Sequence, residues 1–194
     1  MASGLFAIVS AGIDPDAPDD IAVVIFAFWL HGEGRAPIVI LDWEIDTLTP
    51  DMMRDWAPAV AERLAELRQQ IKVPGSGSPI AIEPQGVGLT LYQDAQHAHP
   101  VELLGTSSAE HELAQMPLPQ RVLSASGHVN AGRVRISRHA HEKMTTHRGV
   151  TRNHLLQAIA AFGVAGAEQQ RVGALLAAFA DGVLETFVDP RMRV

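Results

Sequence analysis

Three apolar runs follow one another in the first quarter of the chain, and the shortness of their connections restricts how they can pair. Residues 5–13 form an apolar run with β-branched members that passes into Asp14-Pro15 and a turn-rich stretch ending at Asp20. Residues 21–30, rich in Val, Ile and Phe, form the second run. His31-Gly32-Glu33-Gly34 supplies a hairpin turn, and residues 38–43 form the third. A parallel connection needs a crossover of a dozen or more residues, so these three strands are expected to pair antiparallel.

A helix is expected next, opened by Thr49 as N-cap with Pro50 at the first helical position and Asp51 near the positive end of the dipole. Trp56, Val60, Leu64 and Leu67 recur on one face to about residue 70, with Pro58 able to kink the first turns. This helix is the crossover that lets the strand at 80–83 pair in parallel. A second helix is expected over 89–97, a fifth strand over 101–104, and a turn-rich stretch over 105–119. A short edge strand over 132–136 follows, then helices over 151–162 and 167–187. The pattern predicts one α/β domain spanning 1–194, a mixed five-stranded sheet with helices on both faces. Trp29, Trp43 and Trp56 read as core residues.

Composition sets limits on partners. Of 194 residues, 47% are hydrophobic and 19% charged, the profile of an ordinary globular protein, and cysteine is absent, which excludes disulfides and thiolate zinc sites. The longest apolar run is about half of the ~20 residues a membrane helix needs, so no membrane partner is expected and the cytoplasm is the expected location. The formal charge of -7 is unevenly spread. Between Leu118 and Leu155 lie Arg121, Arg133, Arg135, Arg138, Lys143, Arg148 and Arg152, with Glu142 the only acid; the acids cluster at 14–20 and 42–55. That asymmetry points to one face for a polyanion and another for cations.

Two acids stand directly after apolar strands: Asp14 and Glu83. Carboxylates at the ends of neighbouring buried strands cannot both stay ionised without a cation between them, and hard oxygen ligands suit magnesium or manganese. Two such ions, about 3.5–4 Å apart, can activate water and stabilise a leaving oxygen in phosphodiester cleavage.

The segment Ala11-Gly12-Ile13-Asp14-Pro15, with Asp20 before the next strand, resembles the opening of the nuclease domain of phage large terminase subunits. Ile82-Glu83-Pro84-Gln85-Gly86-Val87-Gly88 is similar to that family's second acidic motif. Arg121 and then His128-Val129-Asn130-Ala131-Gly132-Arg133-Val134 resemble its basic residue and following strand. The resemblance covers roughly residues 5–187. It implies an RNase H-like fold and a metal-dependent DNA endonuclease that cuts concatemeric double-stranded DNA during genome packaging in a bacterial host. The implied partners are an ATPase motor domain, a small terminase subunit and a portal, and the implied cofactors two Mg2+ or Mn2+ ions.

The family supplies a third acid near the start of its last helix, where only Glu168 carries a carboxylate here; Asp181 lies roughly 20 Å further along a helix axis at about 1.5 Å per residue. The expected metal ligands are therefore Asp14, Glu83 and Glu168, with Asp20 outside them. Arg121, Arg133, Arg135, Arg138, Lys143 and Arg148 are the expected DNA-binding residues, placed to meet phosphates. His139 and His141 alternate, but no third ligand at clear spacing accompanies them, so they read as solvated or phosphate-facing. The chain contains no G-x-x-x-x-G-K-[ST] loop, which leaves an isolated domain, an engineered fragment and a free-standing relative all open. Alternative readings are a catalytically impaired DNA-binding or packaging module, a nuclease like the Holliday-junction resolvases, and a protein-interaction domain.

Overall fold

The computed structural model describes residues 2–13, 18–28, 38–49, 52–74, 79–85, 87–97, 99, 101–104, 116–161 and 173–188. The three apolar runs become β1 (Gly4–Ala11), β2 (Asp20–Phe28) and β3 (Ile38–Thr47). β1 and β2 pair antiparallel from Gly4↔Phe28 to Ala11↔Ile21. β2 and β3 pair antiparallel with a bulge between Ile25 and Phe26. Helix α1 (Met53–Ile71) then crosses over to β4 (Ile80–Ile82), which lies parallel to β1 with Val9 opposite Ile82. Helix α2 (Gly88–Ala95) leads to β5 (Val101–Leu103), parallel to β4.

Four differences from the expected pattern bear on the site. The sheet has six strands rather than five, in the order β5-β4-β1-β2-β3-β6, because the edge strand expected over 132–136, β6 (Val134–Ile136), joins it in parallel to β3. Helix α3 (Leu118–Asn130) fills a stretch between the turn-rich segment and β6; Pro117 is its N-cap, and a proline near the start of a helix needs no intrahelical partner for its nitrogen. His139 and His141 sit on the short helix α4 (Arg138–Glu142), in a stretch to which the sequence pattern assigned no element. Finally, β7 (Thr145–His147) and β8 (Val150–Arg152) form a separate hairpin, so Thr151 and Arg152 precede helix α5 (His154–Ala161). Arg148 and Gly149 at its tip both have positive φ, as a two-residue type I′ turn requires. Helix α1 begins after Met52 with no side-chain cap bond; Pro50, Asp51 and Trp29 lie outside the described residues.

The last helix, α6 (Gly173–Val188), is described from Gly173. Side chains alternate across each strand, so the sheet buries two layers. On one face Phe6, Ile8, Val24, Phe26, Ile40 and Trp43 pack with α3, α5 and α6. On the other Val9, Val23, Ile25 and Ile82 pack with Val60, Leu64 and Leu67 of α1 and Leu91 of α2. Trp43 is fully buried, and Trp56 packs against the second layer. Helix α6 lies so close to the sheet that a β-carbon at Gly182 would collide with the Phe26 ring. Among the described residues no helix is long and apolar enough to cross a membrane.

Candidate active site

Strand alternation places Glu83 on the α6 side. Ile80 and Ile82 point into the α1 layer, whereas Ala81 packs in the other, and Glu83 follows with the same parity. Its backbone N–H continues the ladder to the Val9 carbonyl at 2.8 Å. Gly88, opening α2, passes so near that a β-carbon there would strike the Glu83 carbonyl oxygen, so a larger residue would displace the end of β4.

The Glu83 carboxylate is fully enclosed. The Ser10 hydroxyl of β1 donates to Oε2 at 2.5 Å, and Arg121 Nη1 of α3 donates to Oε1 at 2.8 Å. The same Nη1 reaches both oxygens of Asp181 on α6, at 2.8 and 2.7 Å. Exposure of Glu83, Arg121 and Asp181 is 1%, 2% and 5%, so the three charges sit out of water, where an ion is tolerated only when paired. Two carboxylates share one guanidinium, which leaves the trio formally at -1. Burial and then the neighbouring Glu83 charge raise the Asp181 carboxyl to about 7, against the pull of Arg121. Arg121 Nε is buried with no hydrogen-bond partner among the described residues.

The structure therefore brings Asp181 to Glu83, although the sequence pattern favoured Glu168. The distance estimate that disfavoured Asp181 assumed that the start of the last helix meets the site; it is the middle of α6 that does so. Glu168 and Asp14 lie outside the described residues, and β1, which leads towards Asp14, ends at Ala11 beside the Glu83 ladder. One signal in the sequence does mark Asp181. It is a lone acid within the apolar stretch 174–184, and a charge on so apolar a helix must find a buried partner.

Asp20 is buried elsewhere. Its Oδ1 accepts from Arg148 Nε and Nη2 at 3.1 and 2.8 Å, and Oδ2 lies 3.1 Å from His147 Nε2, so the β7–β8 hairpin holds it. Arg121 is a correction to the set of DNA-facing cations, because it is enclosed between two acids. Arg135 and Arg138 are exposed, Arg138 pairing with Glu142 at 2.9 Å. Arg133 lies 6.0 Å from the Phe187 ring. Lys143 is tied to Asp42 at 2.8 Å and to Glu44, and Arg148 to Asp19 and Asp20. Among the described residues no cluster of three or more His, Asp or Glu side chains is arranged to hold a metal. On the α1 face a cleft of about 550 Å³ opens between Val23, Ile25, Asp42, Trp56, Val60 and Arg63, apart from the Glu83 trio.

This sheet order and these flanking helices define the RNase H-like fold class. Among solved structures, the human cytomegalovirus terminase nuclease domain, soaked with Mn and bound to an inhibitor, superposes with a TM-score of 0.56 at 12% identity, covering 94% of this chain and 83% of that one. That likeness establishes the fold. Thermus thermophilus RuvC gives 0.38 at 13% identity, and its complex with a Holliday junction substrate 0.37 at 14%, each covering 94% of this chain and 96% of the other. No protein-family model matches the sequence, and neither does any curated protein.

Proposed function

We propose that this chain is a divalent-metal-dependent DNA endonuclease of the terminase nuclease type. The observation that carries the reading is the convergence of Glu83 and Asp181 beside the end of β1, around a single guanidinium. The donor set suits a hard cation: carboxylate oxygens from two rigid elements, with one negative charge left uncompensated. The cytomegalovirus domain of the same fold was soaked with Mn. Glu83 and Asp181 would hold the metal, with Asp14 proposed as a third ligand from the segment that follows β1. Asp181 takes the place that the sequence pattern gave to Glu168. Bound Mg2+ or Mn2+, as a pair, would activate water and stabilise the leaving oxygen.

The chain's own contribution is positioning. Ser10 fixes one oxygen of Glu83, the parallel β1–β4 ladder fixes its backbone, and the close seat of α6 fixes Asp181. The exposed Arg135 and Arg138 are suited to double-stranded DNA phosphates. In a packaging setting the chain would cut concatemeric genomes beside an ATPase motor, a small terminase subunit and a portal. The enclosure of both acids by Arg121 supports a second reading, a module that binds DNA without cutting it. A supercoiled plasmid assay with Mn2+ or Mg2+ separates the two. The nuclease reading expects nicking by the wild type that falls by about a hundred-fold or more in Glu83→Gln and Asp181→Asn, since each removes a metal ligand. Salt-sensitive DNA binding with no cleavage in either metal selects the module instead.

A further inference from the structure

We infer that Arg121 is the resident counter-cation of the acid site, and that a divalent cation must displace it from at least one carboxylate in order to bind. The inference rests on the acid-pair reading and says what controls occupancy of that pair. One nitrogen, Nη1, lies within 2.7–2.8 Å of three carboxylate oxygens, one of Glu83 and both of Asp181. The fourth, Glu83 Oε2, takes the Ser10 hydroxyl. Nη1 therefore occupies the point towards which both carboxylates are turned, the position a cation shared by them needs. An arginine cannot vacate by losing its proton, because the guanidinium stays charged at all ordinary pH. It has to move, or give up one acid.

Two features show that the present arrangement is incompletely satisfied. The buried Nε lacks a partner among the described residues, and two acids share one positive charge. Exchange of Arg121 for a divalent ion replaces one charge by two at the same acids, which better balances them, but carries the cost of parting a buried ion pair. Metal affinity is then the difference between these two effects, and Arg121 lowers it. This is a property of the chain's own side chain and is separable from cleavage.

Calorimetric titration of Mn2+ into the wild type, Arg121→Gln and Glu83→Gln tests the inference. Removing the competing charge from a low-dielectric site should tighten Mn2+ binding by about ten-fold or more in Arg121→Gln. Its melting temperature should also rise with added Mn2+ by more than that of the wild type. Glu83→Gln should abolish the uptake. Equal or weaker Mn2+ affinity in Arg121→Gln, with uptake still lost in Glu83→Gln, overturns the inference and leaves the acid site standing. Uptake that survives Glu83→Gln, or is absent from both wild type and Arg121→Gln, overturns the acid-site reading and the inference together. If Arg121→Gln does not fold, the wild type decides: the 15N-resolved Nε–H signal of Arg121 should shift on titration with Mg2+ along the binding curve. An unmoved signal at saturation refutes displacement.

Discussion

The sheet carries buried carboxylates on both faces, and the two sites are balanced differently. On the α1 face Asp42 is held by two cations, Arg63, whose Nε and Nη2 lie 2.7 and 2.6 Å away, and Lys143 at 2.8 Å, with His139 Nε2 at 3.4 Å. Each cation passes outward to an exposed acid, Arg63 to Glu66 and Lys143 to Glu44, so the charges alternate until they reach water. On the α6 face Glu83 and Asp181 share the single charge of Arg121, and the described chain of contacts closes inside the protein. The consequence shows in their ionisation. Burial works to raise the Asp42 carboxyl, but Lys143, Arg63 and the Trp43 N–H outweigh it and the net shift is downward. At Asp181 burial and Glu83 prevail, and the carboxyl rises to about 7. An alternating network that ends in solvent explains stability; a closed one with surplus negative charge leaves room for a further cation.

The largest effect that separates the two sites should come from Arg121→Met. It strands two buried carboxylates, and removing one partner of a buried ion pair costs about 3–5 kcal/mol. Urea unfolding at pH 7 measures this, and a loss below about 1 kcal/mol would mean that the trio is far better hydrated than its burial implies. Next in size is an opposed pH dependence. Asp181 has an ordinary value of 3.8 and a folded value near 7, so the folded state holds the extra proton between them. Its contribution to stability is complete below pH 3.8 and is lost as pH rises through about 7, with a slope of at most about 1.4 kcal/mol per pH unit. Asp42 has the opposite sign: its contribution is present above 3.8 and is lost as pH falls through its lowered folded value. Stability measured from pH 3 to 8 should lose the falling limb in Asp181→Asn and the acid limb in Asp42→Asn. Similar profiles in the two variants would erase the distinction between the faces.

Asp42→Asn should itself cost less than Arg121→Met, about 1–2 kcal/mol at pH 7. Arg63 and Lys143 keep 31% and 13% of their side-chain surface in water and can turn outward to their exposed acids. A cost equal to that of Arg121→Met, measured in the same urea series, would show that both networks are equally closed.

What the sequence revealed follows the range of the forces involved. Strands β1 to β3 and the placing of Glu83 depend on local apolar runs and short connections, and they are legible. The β7–β8 hairpin carries Thr145, Thr146, His147 and Thr151, a polar run with no apolar alternation to announce it. Helix α3 was obscured because Pro117 and Pro119 read as turn residues until the chain after them is seen to be helical. The trio is the hardest case. Arg121 meets Glu83 across 38 positions and Asp181 across 60, and those meetings depend on where α3 and α6 cross the sheet. Arg121 thus looked like one more cation in a basic stretch, when burial had removed it from the surface set.

The exposed cations supply the smallest stability effect and the sharpest contrast with Arg121. Arg138 pairs with Glu142 one helical turn away, and 87% of its side-chain surface is open to water. Arg138→Ala should change stability by no more than about 0.5 kcal/mol, since an exposed pair gains little over hydration. If the surface cations carry the DNA contact, the same variant should reduce the salt slope of DNA binding by about one counterion, and Arg135→Ala should do likewise. Fluorescence anisotropy with a labelled duplex over a salt series measures it. The inverse outcome, an unchanged slope in Arg138→Ala and Arg135→Ala, would move the duplex to a different face of the molecule. Charges of one sign thus divide by burial: Arg121 is enclosed between two acids, whereas Arg135 and Arg138 stand open to water.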